Sequence, residues 1–335
     1  SMVYNDINFN NKTILITGGA GFIGSNLAFY FQENYPDSQV VVFDCFRSEA
    51  TFANGNLQSF GHYKNLIGFT GDVICGNINN KADLALLDDY KFDYMFHQAA
   101  ISDTRVYDQE IVMQTNVNSF YDLLNKAKDD DAVMVYASSA ATYGSLPSPQ
   151  TVGTENPENP YGFSKYMMDQ IAYRYSRENP NMTIVGLKFF NVYGPREYYK
   201  AKTSSMVIQL GHQILSGNAP KLFEGSDQIL RDFINIEDVV QANIKACNPK
   251  QNGTYNVGTS TPRSFQDIAD ILQTELGTDL GTNYITNPYD GYQMHTQADI
   301  STSQTNLGFE PVVSLEEGIK AYITDIKRLH GTDIS

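Results

Sequence analysis

The sequence predicts an α/β protein built around a doubly wound parallel sheet, with a smaller, mixed C-terminal lobe. Three observations support this fold class. Short runs of apolar and β-branched residues alternate with longer helical patterns over the first 190 residues, an order typical of parallel strands joined by right-handed helical crossovers. A glycine-rich turn joins the first strand pattern to the first helical pattern. Beyond residue 190 the alternation ends, which indicates a second unit.

Each predicted element follows from its local pattern. Strands are predicted where apolar, β-branched and aromatic residues form short runs, at 12–17, 39–44, 93–100, 132–139 and 183–190. Helices are predicted where apolar residues recur at helical spacing, at about 22–34, 108–128 and 161–178. The later chain predicts a helix at about 204–216 and a short strand at about 220–225, followed by two segments without a clear pattern, 231–246 and 253–259. Two further helical stretches follow these segments.

The composition argues against several classes of partner. The chain has 38 Asp and Glu against 23 Lys and Arg, a formal charge of −15, which disfavours binding to nucleic acid or to an anionic membrane surface. Its cysteines, Cys45, Cys75 and Cys247, are widely spaced and form no metal-binding pattern. The N-terminus is polar and no long apolar stretch occurs. We therefore expect a cytoplasmic protein with reduced thiols, without a metal and without a membrane span.

The glycine-rich turn TGGAGFIG, residues 17–24, predicts a dinucleotide site. Gly18, Gly21 and Gly24 are three residues apart, directly after the first strand and at the start of the first helix. Glycines at these points let the backbone approach a pyrophosphate, which binds the N–H groups at the helix N-terminus. Strand, turn and helix in this order predict a Rossmann-type fold.

Residues at the end of the second strand give opposite indications about the nucleotide. Asp44 ends that strand, twenty residues after Gly24, where a carboxylate commonly binds the ribose hydroxyls of NAD. Arg47 follows three residues later and could meet the 2′-phosphate of NADP. The residues alone leave the choice between NAD and NADP open.

The glycine turn and the change of pattern near residue 190 together predict the domain organisation. We expect a dinucleotide-binding Rossmann domain formed by residues 1–190 with about 234–260. The remaining residues, about 191–233 and 261–335, are expected to form a substrate-binding lobe. Because ligands of doubly wound sheets bind at the carboxyl ends of the strands, the lobe is expected at that edge.

Three residues are predicted to carry the chemistry. Tyr161 and Lys165 are four residues apart and therefore lie on one face of the predicted helix, which Pro160 begins. The fourth sheet strand ends at Ser138 and Ser139, at the edge where such sheets place their active sites. Tyr161 would act as the base, with its pKa lowered by the Lys165 ammonium and by a positively charged nicotinamide ring. Ser139 would bind the substrate oxygen, and Lys165 would also hold the nicotinamide ribose.

These motifs carry a resemblance to known enzymes. TGGAGFIG, YASSAATYG and YGFSK together resemble the extended short-chain dehydrogenase/reductase superfamily over essentially the whole chain. FFNVYGPRE with the lysine that follows it, PKLFEGS, RDF and YQMHTQAD more specifically resemble the ADP-L-glycero-D-manno-heptose 6-epimerase family. The resemblance implies an isomerase of carbohydrate metabolism that supplies activated heptose for the lipopolysaccharide core. It also implies bound NADP, an ADP-heptose substrate and a homo-oligomer.

In that family, carbon six of the sugar is oxidised, the ketone turns over, and the hydride returns to its other face. A second proton donor is then needed across the pocket, and the resemblance places it at Lys200 in GPREYYK. The loop that follows is two residues longer than the family pattern, so Lys202 is the alternative.

Residue matching with the family implies further binding positions. On the substrate side these are Asn191, Val192, Ser205, His212, Phe223, Glu224, Gly225, Ser226, Arg231 and Tyr292. Arg231 is expected to clamp the pyrophosphate, unless it pairs internally with Asp232. On the cofactor side they are Phe22, Ile23, Cys45, Lys81, Gln98, Ala99, Ala100, Ser102 and Asn116. A family lysine in the loop after Asp44 has no counterpart here, because Thr51 and its neighbours stand there.

Three other functions share parts of this pattern. A nucleotide-sugar 4,6-dehydratase normally carries an Asp–Glu pair after the strand-end hydroxyl residue, where this chain has Ala140 and Ala141, which have no proton to give. A hexose 4-epimerase would not require Lys200. A non-catalytic dinucleotide sensor would not need Ser139, Tyr161 and Lys165 together.

Overall fold

A seven-stranded parallel sheet forms the centre of the computed structural model, which describes residues 3–4 and 6–335. The strands of the protein, in chain order, are β1 (Thr13–Thr17), β2 (Gln39–Asp44), β3 (Asp72–Cys75), β4 (Tyr94–His97), β5 (Val133–Ser139), β6 (Ile184–Phe189), β7 (Asn191–Tyr193), β8 (Lys221–Phe223), β9 (Leu230–Arg231), β10 (Phe233–Asn235), β11 (Gly253–Val257), β12 (Arg263–Ser264) and β13 (Asn283–Ile285). The sheet order is β3-β2-β1-β4-β5-β6-β11, and every neighbouring pair is parallel. The predicted fold class is confirmed.

The helices lie mainly on the two faces of this sheet and in the lobe. In chain order they are α1 (Phe22–Asn34), α2 (Lys81–Leu84), α3 (Gln109–Met113), α4 (Ser119–Asp130), α5 (Pro160–Glu178), α6 (Met206–Leu215), α7 (Ile236–Lys245), α8 (Phe265–Leu276), α9 (Ser301–Leu307) and α10 (Leu315–Leu329). Within the described residues, no helix has the length and apolar character needed to cross a membrane.

The strand order places the functional edge. Strands β2 and β3 extend to one side of β1, and β4, β5 and β6 extend to the other. The connections therefore reverse direction between β1 and β4, and a crevice opens there at the carboxyl ends of the strands. The glycine turn follows β1, and the serine-bearing end of β5 faces the same edge.

Three differences from the sequence prediction have local causes. Strand β3 was missed because it is an edge strand with exposed and polar positions and lacks the buried apolar run of its neighbours. Helix α9 was missed because its sequence, STSQTNL, has little apolar periodicity. The helix predicted at 108–128 is interrupted by a π-helical turn at Gln114–Asn118. π-Helical turns often occur at functional sites.

Buried apolar residues form separate clusters. Two clusters cover the faces of the sheet, and a third fills the lobe between α6, α8 and α10. Four residues that the sequence predicts in the lobe, Ala298, Ile300, Leu307 and Phe309, pack in a sheet cluster. The exact division into two domains stays a prediction.

Candidate active site

The glycine turn forms a cradle in which there is no room for side chains. Gly18 has a φ of +67°, and a Cβ on it would lie 2.8 Å from the backbone nitrogen of Ala99. A Cβ on Gly24 would lie 2.2 Å from the carbonyl oxygen of Gly18. Gly21 is the N-cap of α1 and uses no side chain for capping. The N–H groups of the first turn of α1 thus face a turn that a pyrophosphate can approach closely.

Gly24→Ala is expected to weaken cofactor binding strongly, because the new methyl group would push the turn away from the start of α1. The variant protein should lose the bound nucleotide that is released on denaturation and detected by its absorbance. Gly253→Ala is the matched control, since a Cβ there meets only ordinary contacts of 3.5 Å or more. Full nucleotide retention by Gly24→Ala would show that the cradle is not the binding site.

The end of β4 supplies the opposite wall of the cradle. The Thr17 hydroxyl accepts hydrogen bonds from the N–H groups of Gln98 (3.0 Å) and Ala99 (3.1 Å). The side-chain nitrogen of Gln98 is buried without a hydrogen-bond partner. A bound dinucleotide would lie in the glycine cradle and could accept a hydrogen bond from this buried amide. The residues present therefore fit such a cofactor.

Asp44 and Arg47 are both engaged by the protein itself. Asp44 is 5% exposed; its two oxygens accept the N–H groups of Ala20 (2.9 Å) and Phe46 (2.8 Å). Burial raises the pKa of this carboxyl, and the two backbone hydrogen bonds partly offset the effect. The guanidinium of Arg47 donates to the carbonyl oxygens of Tyr199 and Ile334.

The other predicted cofactor residues differ in their surroundings. Phe22 is buried and Ile23 half-buried at the start of α1, and Ala100 is half-buried beyond β4. Cys45, Lys81 and Ser102 are exposed. Asn116 is fully buried in the π-helical turn, where its amide bonds the backbone of Ile101 and the Ser164 hydroxyl. Asn116 thus fixes the loop after β4, which lines the crevice.

Ser139, Tyr161 and Lys165 come together at the end of β5. The Asn159 side chain caps α5 by accepting the N–H of Gly162 (2.7 Å), with Pro160 in the first turn. The Ser139 hydroxyl lies in hydrogen-bonding contact with the Tyr161 phenol. The Lys165 ammonium donates to the Ala137 carbonyl at 2.6 Å and lies 5.9 Å from the centre of the Tyr161 ring.

Burial governs the protonation of this group. It raises the pKa of Tyr161, and the hydrogen bond with Ser139 offsets part of the increase. It also lowers the pKa of Lys165 to about 8, although nearby Asp169 acts in the opposite direction. The protein by itself does not lower the pKa of the phenol, so the expected lowering depends on the positive charge of the nicotinamide ring.

The two candidate lysines of the GPRE loop differ clearly. The Lys200 ammonium lies 5.5 Å from the centre of the Phe22 ring, beside the glycine cradle. Burial lowers its pKa, whereas the Glu197 carboxylate raises it. Lys202, in contrast, is exposed. The loop turns back sharply at Ala201, whose φ of +54° is unusual for a residue with a side chain.

Glu197 is a residue whose role the sequence did not indicate. It is fully buried, and it accepts hydrogen bonds from the N–H of Gly194 and from the backbone and hydroxyl of Ser205. A fourth bond comes from the Tyr322 hydroxyl in α10, at 2.9 Å. Glu197 therefore closes the loop that carries Lys200 and fixes it to the lobe. The motif GPRE was its only signal.

Arg231 lies in an aromatic setting in the lobe. Its guanidinium carbon is 5.3 Å from the Tyr292 ring centre and 5.5 Å from that of Phe265. The expected alternative partner, Asp232, instead accepts hydrogen bonds from backbone N–H groups at 259, 260 and 298. No carboxylate among the described residues pairs with Arg231. The guanidinium thus remains available for an anion.

The remaining predicted substrate residues lie in several different settings. Phe223 and Tyr292 pack edge to face at 5.5 Å, next to Arg231. The turn at 223–226 is closed by the Ser226 hydroxyl, and Glu224 and Gly225 are exposed. Asn191 and Val192 lie on β7, exposed and half-buried. Ser205 is tied to the loop carboxylate described above. The contacts of His212 are with the Ile326 carbonyl, Tyr198 and His330, which are not predicted substrate residues.

A glycine cradle after the central strand β1, at the same sheet edge as a Ser–Tyr–Lys group on β5 and α5, defines a class: dinucleotide-dependent enzymes that transfer hydride. The comparison with known proteins agrees. Residues 14–258 match the NAD dependent epimerase/dehydratase family, and the chain belongs to that family, as the motifs predicted.

Individual relatives cover nearly the whole chain. The protein is 34% identical over 325 residues to an ADP-L-glycero-D-manno-heptose-6-epimerase of Brachyspira hyodysenteriae, covering 95% of this chain and 99% of the relative. The crystal structure of the Helicobacter pylori enzyme of that name is 50% identical, with a TM-score of 0.89 over 97% of this chain and 99% of that one. A Thermotoga maritima UDP-glucose 4-epimerase with UDP-glucose is 26% identical, with a TM-score of 0.82 over 94% and 99% of the chains.

Proposed function

We propose that the protein converts ADP-D-glycero-D-manno-heptose to ADP-L-glycero-D-manno-heptose by epimerisation at carbon six. The observation that carries the proposal is the half-buried Lys200, whose ammonium lies beside the cofactor cradle. It is a further acid/base group, separate from the Ser–Tyr–Lys group. A simple dehydrogenase needs only one acid/base group, whereas an inversion in which the carbonyl oxygen turns away from the first group requires a second. The two relatives named as heptose 6-epimerases support the choice of sugar.

In the first half of the reaction, Tyr161 takes the proton of the carbon-six hydroxyl while Ser139 holds the oxygen by a hydrogen bond. The Lys165 ammonium, 5.9 Å from the centre of the phenol ring, is proposed to stabilise the phenolate together with the positive charge of the nicotinamide. When bound, the nicotinamide dinucleotide supplies a hydride acceptor that later serves as the hydride donor.

In the second half, the ketone has turned and its oxygen no longer faces Tyr161. Lys200 then gives the proton to that oxygen as the alcohol re-forms. Its burial makes the ammonium easier to deprotonate, and the Glu197 carboxylate limits that effect. The lowered pKa makes the Lys200 ammonium a better general acid than an ordinary lysine, and the nearby carboxylate helps it to recover its proton afterwards.

Arg231 is proposed to bind the substrate pyrophosphate, with the rings of Phe223 and Tyr292 beside it. The guanidinium can form paired hydrogen bonds with phosphate oxygens. Because the pyrophosphate does not change charge during the reaction, this binding contributes equally to ground state and transition state.

Arg231→Gln is accordingly expected to raise KM by about 10- to 100-fold, with a much smaller change in kcat. Steady-state kinetics with the ADP-heptose measures both constants. Arg328→Gln is the control, since Arg328 is exposed on α10 and pairs with Asp325. A fall in kcat with unchanged KM would argue against pyrophosphate binding by Arg231.

We propose NADP as the cofactor, with NAD as the alternative. The resemblance supports NADP, and the buried Asp44 directs no free carboxylate at a 2′-phosphate, since its oxygens accept backbone N–H groups. Side-by-side measurement of the affinities for NADPH and NADH by their fluorescence decides between them. The unpaired cysteines support a cytoplasmic location, and a homo-oligomer is proposed from the resemblance.

The decisive experiment follows synthetic ADP-D-glycero-D-manno-heptose by proton NMR in deuterated buffer. We expect inversion at carbon six without incorporation of solvent deuterium there, because the hydride removed is the hydride returned. Incorporation of deuterium would indicate proton abstraction from carbon and would contradict the proposal. Elimination of water would indicate a dehydratase, which Ala140 and Ala141 at the strand end disfavour.

A further inference from the structure

Four ionisable side chains with little access to solvent lie together beside the active-site tyrosine. We call them the ionic cluster: Glu155, Lys165, Asp169 and Lys188. Lys188 is fully buried, and its ammonium lies 2.5 Å from Oδ2 of Asp169, which is 2% exposed. A carboxylate oxygen of Glu155 lies 3.7 Å from the same ammonium. Two cations and two carboxylates make the cluster neutral overall.

The cluster is bonded to the residues on either side of the active-site serine. Lys188 donates to the hydroxyls of Thr142 (2.9 Å) and Ser138 (3.3 Å). Asp169 accepts from the hydroxyls of Ser138 (3.0 Å) and Tyr136 (2.8 Å). Helix α5, strands β5 and β6 and the turn after β5 are thereby fixed to one another.

Buried charges of this kind are costly. Removing an ion from water is unfavourable, and well-packed apolar residues often stabilise a protein as well or better. Stability alone therefore does not explain the pair. Asp169 follows Lys165 by four residues and lies on the same face of α5, so its charge acts directly on the active-site ammonium.

We propose that Asp169 and Lys188 are positioning residues that set the charge of Lys165 and hold it, with Tyr161, against the end of β5. Asp169 favours the protonated form of Lys165, and Lys188 limits that influence by sharing the carboxylate. This rests on the role of Lys165 in the proposed function but not on the identity of the sugar.

The electrostatic surroundings allow a prediction of sign. Burial lowers the pKa of Lys165 to about 8, and Asp169 raises it. His97 from β4 stays neutral at working pH, because burial lowers its pKa to about 3. The other titratable groups facing the cluster are Tyr136 and Tyr143 near β5 and Tyr161 and Tyr173 on α5, all of them phenols whose pKa burial raises.

The test is the alkaline limb of the pH–activity profile, where loss of the Lys165 proton removes activity. Asp169→Asn is expected to move this limb to lower pH by about one unit, as expected on loss of a close opposite charge. Lys188→Met is expected to move it to higher pH, because Asp169 then acts on Lys165 alone. Damage to the fold would lower activity in both variants without opposite shifts. If the alkaline limbs of both variants coincide with that of the wild type, the proposal is wrong.

A double variant keeps the test valid if a single variant fails to fold. Asp169→Asn with Lys188→Met removes both partners of the pair, which is less costly than leaving one charge unpaired. Its limb should still move to lower pH, by less than that of Asp169→Asn, because the charge that raises the pKa of Lys165 belongs to Asp169. An unshifted limb would contradict the proposal. Tyr136→Phe is the control, since it removes a hydrogen bond to Asp169 without changing the charge.

A second readout separates this inference from the proposed function. Lys165 is also expected to hold the nicotinamide ribose, so NADPH binding, measured by fluorescence, should weaken above the pKa of Lys165. The same opposite shifts are expected there. Suppose that the wild type leaves the ADP-heptose unchanged but the two variants shift the pH dependence of NADPH binding in opposite directions. The proposed substrate is then wrong, and the role of Asp169 and Lys188 stands. If the heptose is epimerised and neither profile shifts, the role of Asp169 and Lys188 is wrong.

Discussion

Lys200→Met is expected to abolish inversion at carbon six while the protein keeps its fold and its cofactor. Loss of a general acid typically costs about 10²- to 10⁴-fold in rate. The methionine side chain is similar in length to lysine and can pack against the Phe22 ring, whose centre lies 5.5 Å from the ammonium. Tyr161 and Lys165 stay in place, so the first oxidation should proceed. The ketone can then be reduced only from the face served by Tyr161, which regenerates the starting sugar.

Two measurements distinguish this outcome from general damage. Substrate carrying deuterium at carbon six should transfer it to the bound nicotinamide in the variant, as mass spectrometry of the released cofactor would detect. Proton NMR should show no L-glycero product. Lys202→Met is the control, because Lys202 is exposed and should retain near-full turnover. If instead the Lys202 variant is inactive and the Lys200 variant epimerises, the role of second acid belongs to Lys202.

The loop that carries Lys200 shows why only part of the site could be predicted from the sequence. The glycine turn and the Tyr161–Lys165 pair are local patterns whose spacing determines their geometry, and the structure brings them to one edge of the sheet. Glu197 acts through contacts distant in sequence, above all with Tyr322, 125 residues away. Such a pairing leaves no periodicity to detect.

The same limit applies to the charges behind the active site. Asp169 continues the spacing of Tyr161 and Lys165 by another four residues, so its side of α5 was predictable. Its partner Lys188 lies in the apolar run of β6, where a single lysine gives no sign of burial. For Asp44 the position at the end of a strand could be predicted. That both its carboxylate oxygens accept backbone N–H groups could not, because those bonds depend on the turns around it.

Tyr161→Phe is expected to remove both halves of the reaction, in contrast to the lysine variant. Phenylalanine keeps the ring and its packing but has no hydroxyl to take the substrate proton, so kcat should fall by about 10²- to 10⁴-fold. Cofactor binding should persist, since the glycine cradle and Lys165 remain. No deuterium should pass from labelled substrate to the nicotinamide.

Tyr173→Phe provides the matched control for this change. It removes a hydroxyl from the same helix, where Tyr173 bonds Thr254 at 2.6 Å, away from Ser139. We expect it to lower stability slightly and to leave kcat near that of the wild type. Hydride transfer by the Tyr161 variant at the wild-type rate would mean that another group takes the proton, and the Ser139 hydroxyl, which contacts the phenol, would be the next residue to replace. If deuterium transfer to the nicotinamide is lost in Tyr161→Phe but retained in Lys200→Met, each residue serves one face of the ketone.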